Sequence, residues 1–274
     1  FTDGNKTIQN PRLMSRIMNS AKDLGCLIMQ HAEDYELAKN GMINSGIIAS
    51  KLGLSGIPEI AERILIERDL TLLEKAKCRY HISQLSSQNS VDVIKQRKER
   101  IKFTSGVSIN NLSLNENDIG DFRTFLKLSP PLRTEEDRVA LVQGLKEELI
   151  DVIVSDHKPE DEESKRLTFS QAATGASGIE TLLSLSLELY HNGSLKLETI
   201  IKALTSNPAK ILKINKGNLS IGNDADFCIV DIDKPWIVKK EKLVSKSKNT
   251  SIEDKKLQGK VINTFVKGKE LFKL

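Results

Sequence analysis

The feature that most constrains the fold of this chain is a regular alternation of short apolar runs with longer amphipathic segments. The runs at 26–30, 78–82, 102–109 and 151–155 have the length and composition of buried strands. The segments between them carry apolar residues at helical spacing and are long enough to be the crossover helices of parallel βα units. We count about five such units, which predicts α/β architecture and the C-terminal part of a (β/α)8 TIM-type barrel.

The pattern changes after Gly217 to short β segments separated by polar turns, with a loop rich in Lys and Ser expected at 239–258. This change predicts a partial barrel at 1–214 and a small β appendage at 215–274. The chain opens with Phe1 in what reads as the end of a strand, and half a barrel would leave strand edges unpaired. We therefore expect that further N-terminal sequence precedes Phe1.

Composition and charge argue against several classes of protein. Lys and Arg exceed Asp and Glu by 41 − 37 = 4, and the two signs are mixed along most of the chain, unlike the basic stripe of a nucleic-acid binder. No apolar run approaches the roughly 18 residues of a membrane span. The three cysteines, Cys26, Cys78 and Cys228, are widely spaced and suit reduced thiols in a cytoplasmic protein.

Residues that can bind a metal ion fall where the predicted strands end. His31 and Asp156 each follow such a strand, His81 lies late in one, and Asp3 follows what reads as another strand end. In a βα barrel the strand ends surround one mouth. Imidazole and carboxylate groups suit Zn²⁺ or a similar divalent ion, and a second carboxylate that takes a proton from a bound water completes a workable hydrolase site.

A structural role is the alternative for each histidine, because a lone histidine at a strand end is more often a hydrogen-bonded structural residue than a ligand. Three of the four histidines, His31, His81 and His157, nevertheless fall at the predicted mouth. His157 follows Asp156 and has a second interpretation, that it only orients or covers that carboxylate. His191 ends a predicted helix, where a structural role is favoured. The pattern alone leaves the choice between ligand and structural residue open.

At these residues the sequence resembles the dihydroorotases of the amidohydrolase superfamily, over nearly its whole length. The stretch Asn115–Gly120 is most similar to an alphaproteobacterial branch of that family. The stretches that carry the resemblance are, in order, Phe1-Thr2-Asp3-Gly4, His31-Ala32-Glu33-Asp34, Leu52-Gly53-Leu54-Ser55-Gly56-Ile57-Pro58, Tyr80-His81-Ile82-Ser83, Pro130-Pro131-Leu132-Arg133, Ser155-Asp156-His157-Lys158-Pro159, Gly178-Ile179-Glu180-Thr181, Asn207-Pro208-Ala209 and Gly222-Asn223-Asp224-Ala225-Asp226.

This resemblance implies a metal-dependent hydrolase barrel with a composite β domain made from both chain ends. It implies reversible interconversion of dihydroorotate and N-carbamoyl-L-aspartate in pyrimidine (UMP) biosynthesis, with one or two Zn²⁺ ions as cofactor. By the same resemblance Asp3 bridges two metal ions, His31 and His81 bind the second ion, and Asp156 is both a ligand and the general base. The family's His-x-His pair, which holds the first ion, is absent from this chain.

The implied substrate site departs from the family pattern at several positions. Ser129 stands where active members have Asn, Thr174 stands where Pro is usual, and Asn110-Asn111 replaces a pair that contains His. Glu160 replaces a His, and a carboxylate there would repel a dicarboxylate substrate unless it turns away. The substrate-binding residues that the resemblance implies are Ser129, His157, Glu160, Thr174 and Gly175.

Three functions stay open after this comparison. The first is a metal-dependent dihydroorotase. The second is a non-catalytic dihydroorotase-like subunit that serves as a scaffold for aspartate transcarbamoylase. The third is another cyclic amidohydrolase, a hydantoinase or allantoinase, which ranks lowest because those enzymes usually bridge their metals with a carboxylated lysine where this chain has Asp3. We also expect a small-molecule substrate and a homo-oligomer, without nucleic-acid or membrane partners.

Overall fold

The computed structural model describes residues 1–274 and contains three sheets. The largest sheet has four parallel strands in the spatial order β1–β4–β5–β6, and a helix lies between each strand and the next in the chain, as the alternating pattern predicts. In chain order the strands are β1 (Leu27–Gln30), β2 (Ile43–Asn44), β3 (Gly56–Ile57), β4 (Arg79–Leu85), β5 (Thr104–Ser108), β6 (Val152–Val154), β7 (Phe227–Ile237), β8 (Lys256–Val266) and β9 (Lys269–Lys273).

Eleven α-helices and three short 3₁₀ helices connect and cover these strands. The α-helices are α1 (Pro11–Asp23), α2 (Tyr35–Ala38), α3 (Ile47–Leu52), α4 (Ile60–Ala76), α5 (Gln88–Lys98), α6 (Ile109–Ser113), α7 (Glu135–Lys146), α8 (Glu162–Arg166), α9 (Leu182–His191), α10 (Leu197–Leu204) and α11 (Ser206–Leu212). The 3₁₀ helices are Glu116–Ile119, Thr124–Leu126 and Lys240–Lys242. None of the helices is both long and apolar enough to span a bilayer.

Local sequence signals explain where the main helices begin. Thr134 and Asp137 form a reciprocal capping box at the start of α7, so that two backbone N–H groups at the helix end are satisfied. The Ser87 hydroxyl accepts from the Ser90 N–H at the start of α5, and the Asn10 side chain caps α1. These caps fix the helix starts, and each helix then packs against its neighbour, α1 on α4, α4 on α5 and α5 on α7.

The core of the partial barrel lies between the parallel sheet and these helices. Strand β4 is central, and its Tyr80 and Ile82 are buried against apolar side chains of the helices. The Tyr80 hydroxyl donates to the Asp69 carboxylate of α4 at 2.7 Å, so its polar end is satisfied inside the core. The packed sheet provides the rigid base on which the loops after the strands are mounted.

One edge of the sheet is extended by the first residue of the chain. The Phe1 amino group donates to the Leu27 carbonyl at 2.7 Å, and the Met29 N–H donates to the Phe1 carbonyl at 2.9 Å. The chain therefore enters beside β1 with strand-like pairing, in agreement with the sequence-based interpretation of Phe1.

A three-stranded antiparallel sheet, β7–β8–β9, forms the C-terminal part of the chain. Its strand β8 packs on α9, where the Ser184 hydroxyl donates to the Gly259 carbonyl at 2.7 Å. A side chain on Gly259 would collide with Leu187 of α9, since a Cβ atom there would lie 2.3 Å from the Leu187 Cδ1 atom. This close approach holds the C-terminal sheet against the partial barrel.

Two sequence-based predictions about strands need correction. Strand β4 continues to Leu85, where it pairs with Val107 of β5, so His81 lies near its beginning and not late in the strand. The segment predicted as a loop at 239–258 contains a 3₁₀ helix and the first residues of β8. Within it, Asn249, Thr250, Ser251 and Ile252 are buried, which its Lys- and Ser-rich composition does not indicate.

Candidate active site at the strand ends

The polar residues that the sequence singled out lie in, after or beside strands of the parallel sheet. His31 directly follows β1, His81 lies within β4 opposite Met29 of β1, and Asp156 follows β6 by one residue. The structure places Asp3 just beyond Phe1, next to β1, where its side chain is exposed. His31, His81 and Asp156 therefore belong to three strands of one sheet or to the residues after them, with β5 between β4 and β6.

Asp156 has the most distinctive environment of these residues. Its backbone adopts a left-handed conformation with φ of 48°, which is uncommon for a residue with a side chain and directs the carboxylate to a fixed position. Gln84 donates to one carboxylate oxygen at 2.8 Å, and the Ser108 hydroxyl lies 3.5 Å from the other. Burial of the carboxyl group raises the pKa of Asp156 to about 6, against the opposing effects of Gln84 and the Lys158 charge.

Both candidate histidine ligands are buried and neutral at neutral pH. Burial, aided by the Lys158 charge, lowers the pKa of His31 to about 4, and burial with the Lys98 charge does the same for His81. The His81 Nδ1 atom is 2.8 Å from the Thr104 hydroxyl, which orients the ring. The His31 Nδ1 atom is buried without a hydrogen-bond partner, although the Ser129 hydroxyl lies 3.4 Å from Nε2.

The nitrogen and oxygen donors of these residues are of the kinds that bind a divalent metal ion. A neutral imidazole is the form that binds metals, and an unpaired buried ring nitrogen is costly unless a ligand satisfies it. The described residues do not complete such a site, because no group of three or more His, Cys, Asp or Glu side chains is arranged to hold an ion. Asp3 in particular forms no side-chain hydrogen bond.

His157 contacts the segment at 176–179. Its Nδ1 atom accepts from the Gly178 N–H at 3.2 Å and lies 3.4 Å from the Ile179 nitrogen. Residue 157 also pairs with Ala176 in a parallel bridge. The ring therefore ties the loop after β6 to the segment at 176–179.

Glu160, which stands where the resemblance implies a histidine, is half-buried beside a basic side chain. Its carboxylate lies 3.7 Å from the Lys158 ammonium group. Its backbone carbonyl accepts from the Ser247 hydroxyl at 2.6 Å, so the C-terminal part of the chain holds this loop. The Glu160 charge is thus partly balanced within its own loop.

Gly175 occupies a position that only glycine suits. Its φ is 140°, and a Cβ atom there would lie 2.7 Å from the Lys158 carbonyl oxygen. Its N–H donates to the Lys127 carbonyl at 2.9 Å, and its carbonyl accepts from Lys165 and from Asn249. Both backbone groups are engaged, so Gly175 contributes loop shape and close approach, while the neighbouring Thr174 is half-buried.

The segment 247–252 was missed by the sequence analysis. Asn249 donates to the Gly175 carbonyl at 3.1 Å, and the Ser251 hydroxyl donates to the Asn110 side chain at 2.8 Å. The Asn110 nitrogen has no ordinary hydrogen-bond partner, yet Asn110 helps to stabilise the charged form of Asp156. No local signal could reveal this role, because Ser251 and Asn110 are separated by 141 positions.

Comparison with known proteins assigns the chain to a family. The family model described as "Amidohydrolase family" matches residues 2–271. The chain belongs to the amidohydrolase family. Among curated relatives, "Dihydroorotase" of Ehrlichia chaffeensis is 42% identical over 100% of this chain and 62% of its own length. "Dihydroorotase" of Anaplasma phagocytophilum is 39% identical over 100% of this chain and 62% of its own length.

These matches confirm the resemblance to dihydroorotases, including those of alphaproteobacteria. The chain spans less than two thirds of the length of these relatives. Among solved structures, "L-Hydantoinase (Dihydropyrimidinase) from Arthrobacter aurescens" matches with a TM-score of 0.86 and 27% identity, over 96% of this chain and 61% of that one. A dihydropyrimidinase from Brevibacillus agri has a TM-score of 0.84 at 21% identity, over 95% of this chain and 59% of that one, and shows the fold alone.

These structural matches, with the parallel sheet, confirm the predicted fold class. Amidohydrolases are metal-dependent hydrolases, which agrees with the imidazole and carboxylate groups of His31, His81 and Asp156 along the parallel sheet.

Proposed function

We propose that the protein containing this amidohydrolase chain is a cytoplasmic dihydroorotase of de novo pyrimidine biosynthesis. It interconverts dihydroorotate and N-carbamoyl-L-aspartate. The observation that carries this proposal is identity of 37–42% over 99–100% of the chain to proteins named dihydroorotase. In this proposal residues 1–214 form part of the metallohydrolase barrel and residues 215–274 form part of a composite β domain.

The residues assigned to a zinc centre are Asp3, His31, His81 and Asp156. A bound Zn²⁺ ion, one or two per site, supplies Lewis-acid polarisation of the ring amide and lowers the pKa of water. The two buried neutral imidazoles and the unpaired His31 Nδ1 atom support this assignment. The exposed Asp3 is the member with the least support from contacts within this chain.

Asp156 is assigned the proton transfer in the ring-opening direction. It takes a proton from the attacking water and delivers it to the ring nitrogen that leaves. Asp156 has a left-handed backbone, and the hydrogen bond from Gln84 orients its carboxylate. An oriented carboxylate suits a base that first meets the attacking water and then the leaving nitrogen. Ser129, His157, Glu160, Thr174 and Gly175 are assigned to the walls of the substrate site.

A scaffold function is the second candidate, and the departures at Ser129 and Glu160 favour it. In that case the protein would not hydrolyse dihydroorotate and would bind aspartate transcarbamoylase, as part of an assembly with further copies of itself. A hydantoinase function has weaker support, since the similar hydantoinase structures are 20–27% identical to this chain.

A substrate comparison tests the proposal against both alternatives. The intact gene product, loaded with zinc, is supplied with dihydroorotate, hydantoin or allantoin, and ring opening is followed by loss of the cyclic amide absorbance. Hydrolysis of dihydroorotate in preference to the other two supports the proposal. Preference for hydantoin or allantoin would replace it by the hydantoinase alternative, and a folded, zinc-loaded protein without turnover would favour the scaffold.

A further inference from the structure

Two buried lysines lie behind the loop that carries Thr174 and Gly175. Lys127 is 8% exposed, and its ammonium group donates to three backbone carbonyls, those of Phe169 at 3.0 Å, Ser170 at 3.0 Å and Ala172 at 2.8 Å. An ammonium group has three N–H donors, so all of them are used by one turn of this loop.

Lys165 repeats this arrangement at the other end of the same loop. It is 2% exposed and donates to the Ala173 carbonyl at 2.7 Å and the Gly175 carbonyl at 2.9 Å. Neither Lys165 nor Lys127 forms an ion pair with a carboxylate. Their hydrogen bonds are satisfied by neutral carbonyls, so their positive charges remain uncompensated at close range.

Glu160 is the carboxylate next to these lysines in the loop after β6. Burial lowers the pKa of Lys165, the Glu160 charge raises it, and the charges of Lys127 and Lys158 lower it. Glu160 and Lys165 both line a cavity of about 720 Å³. Three ammonium groups against this one half-buried carboxylate leave an excess of positive charge around the loop.

Other charged groups of the cavity do not reverse this balance. Asp161 and Glu162 also line it, but both are exposed, and Glu162 pairs with Arg166 at 2.5 Å. Lys240 and Lys246 add exposed positive charges to the same wall. Exposed groups are screened by water and salt far more than the two buried lysines.

We propose that Lys127 and Lys165 are positioning and specificity-determining residues that shape the 169–175 loop through its backbone carbonyls and give it affinity for an anionic substrate, and that the Lys158 ammonium group neutralises Glu160. This inference rests on the proposed function, because it takes the loop to be a wall of the substrate site. It explains how a dicarboxylate binds although Glu160 replaces the histidine usual in dihydroorotases.

The test measures binding of N-carbamoyl-L-aspartate to the zinc-loaded gene product by calorimetry. Lys165→Met keeps the length of the side chain and removes its charge, and we expect about tenfold weaker binding. Lys246→Met is the matched control, since Lys246 lines the same cavity but is exposed and contacts no carbonyl. Its binding should change less than about twofold, as for other exposed, screened charges.

Glu160→Gln tests the same inference in the opposite direction and leaves the hydrogen bonds of Lys127 and Lys165 to the backbone carbonyls in place. Removing this negative charge should strengthen binding by about threefold, with unchanged thermal unfolding. In steady-state turnover of dihydroorotate, Lys165→Met should raise KM more than it lowers kcat, and Lys165→Arg, which keeps the charge, should restore part of KM.

The outcomes separate the inference from the proposed function. Equal binding by Lys165→Met and Lys246→Met, or weaker binding by Glu160→Gln, overturns the inference, even if the parent protein hydrolyses dihydroorotate. The expected order of binding in a protein that has no turnover supports the inference and contradicts the proposed activity. A folded parent that neither binds nor hydrolyses these ligands overturns both.

Discussion

At the scale of single residues, the site depends on polar groups that the fold removes from water. His31 and His81 are each 3% exposed, and their burial keeps the imidazoles neutral. The His31 Nδ1 atom has no partner in the chain, as expected of a nitrogen whose partner is a bound ligand. Asp156 combines an unusual backbone conformation with partners on both carboxylate oxygens.

His31→Ala is expected to lower the zinc content of the purified protein, because it removes one of the assigned nitrogen ligands. Zinc per polypeptide, measured by atomic emission after dialysis, should fall by about half or more. His191→Ala is the matched control, since His191 lies at the end of α9, 3.5 Å from Asp233, away from the strand ends. Unchanged zinc content in His31→Ala would show that His31 is structural.

Lys165 makes the stability of the protein depend on pH in alkaline solution. Burial lowers its pKa to about 8 in the folded protein, whereas the unfolded chain keeps the ordinary value of 10.5. Between these values the unfolded state binds more protons, so the contribution of Lys165 to the free energy of unfolding rises with pH over this window. The free energy of unfolding, measured with urea, should therefore rise in the parent relative to Lys165→Met between pH 7.5 and pH 10. A difference between the two proteins that does not depend on pH would contradict this.

At the scale of elements, much of the arrangement follows from the sequence. Apolar runs predicted all four strands of the parallel sheet, and the Thr134 capping box marked the start of α7, because these signals are local. The end of β4 was misjudged because pairing with β5, a tertiary effect, extends it to Leu85. His31 and Asp156 could be predicted as candidate metal ligands because each follows a strand and parallel strands end at one edge of the sheet.

The 247–252 segment shows what local patterns leave out. Its buried contacts with Asn110, Glu160 and Gly175 join parts of the chain that are 74 to 141 positions apart. A run rich in Lys and Ser is typical of a solvated loop, and only the assembled fold buries it. The same holds for Lys127 and Lys165, whose carbonyl partners are set by the path of the 169–175 loop.

Ser251→Ala should weaken the attachment of this segment. It leaves the Asn110 side-chain oxygen without its donor in a buried place, and we expect the free energy of unfolding to fall by about 1–2 kcal/mol. Ser245→Ala is the matched control, because the Ser245 side chain forms no hydrogen bond although it belongs to the same stretch. Equal denaturant midpoints for the two variants would mean that the Ser251 contact adds nothing to stability.

At the scale of the whole molecule, a segment between β7 and β8 packs against the loops that follow the parallel strands. The parallel sheet supplies the candidate metal ligands, and the C-terminal part of the chain closes over the loops that follow β5 and β6 through the 247–252 segment. This organisation agrees with membership of the amidohydrolase family over residues 2–271. We propose that the assembled protein hydrolyses dihydroorotate through Asp156 with the help of a metal ion.

The measurement that tests this claim most directly is dihydroorotate hydrolysis by the intact gene product, with and without supplied zinc. Asp156→Asn is the companion variant, since it removes the base and keeps the side-chain volume. The account predicts zinc-dependent turnover in the parent protein and a loss of about a thousandfold or more in the variant, with both proteins folded. Turnover that survives in Asp156→Asn, or that does not depend on a metal ion, would contradict the account.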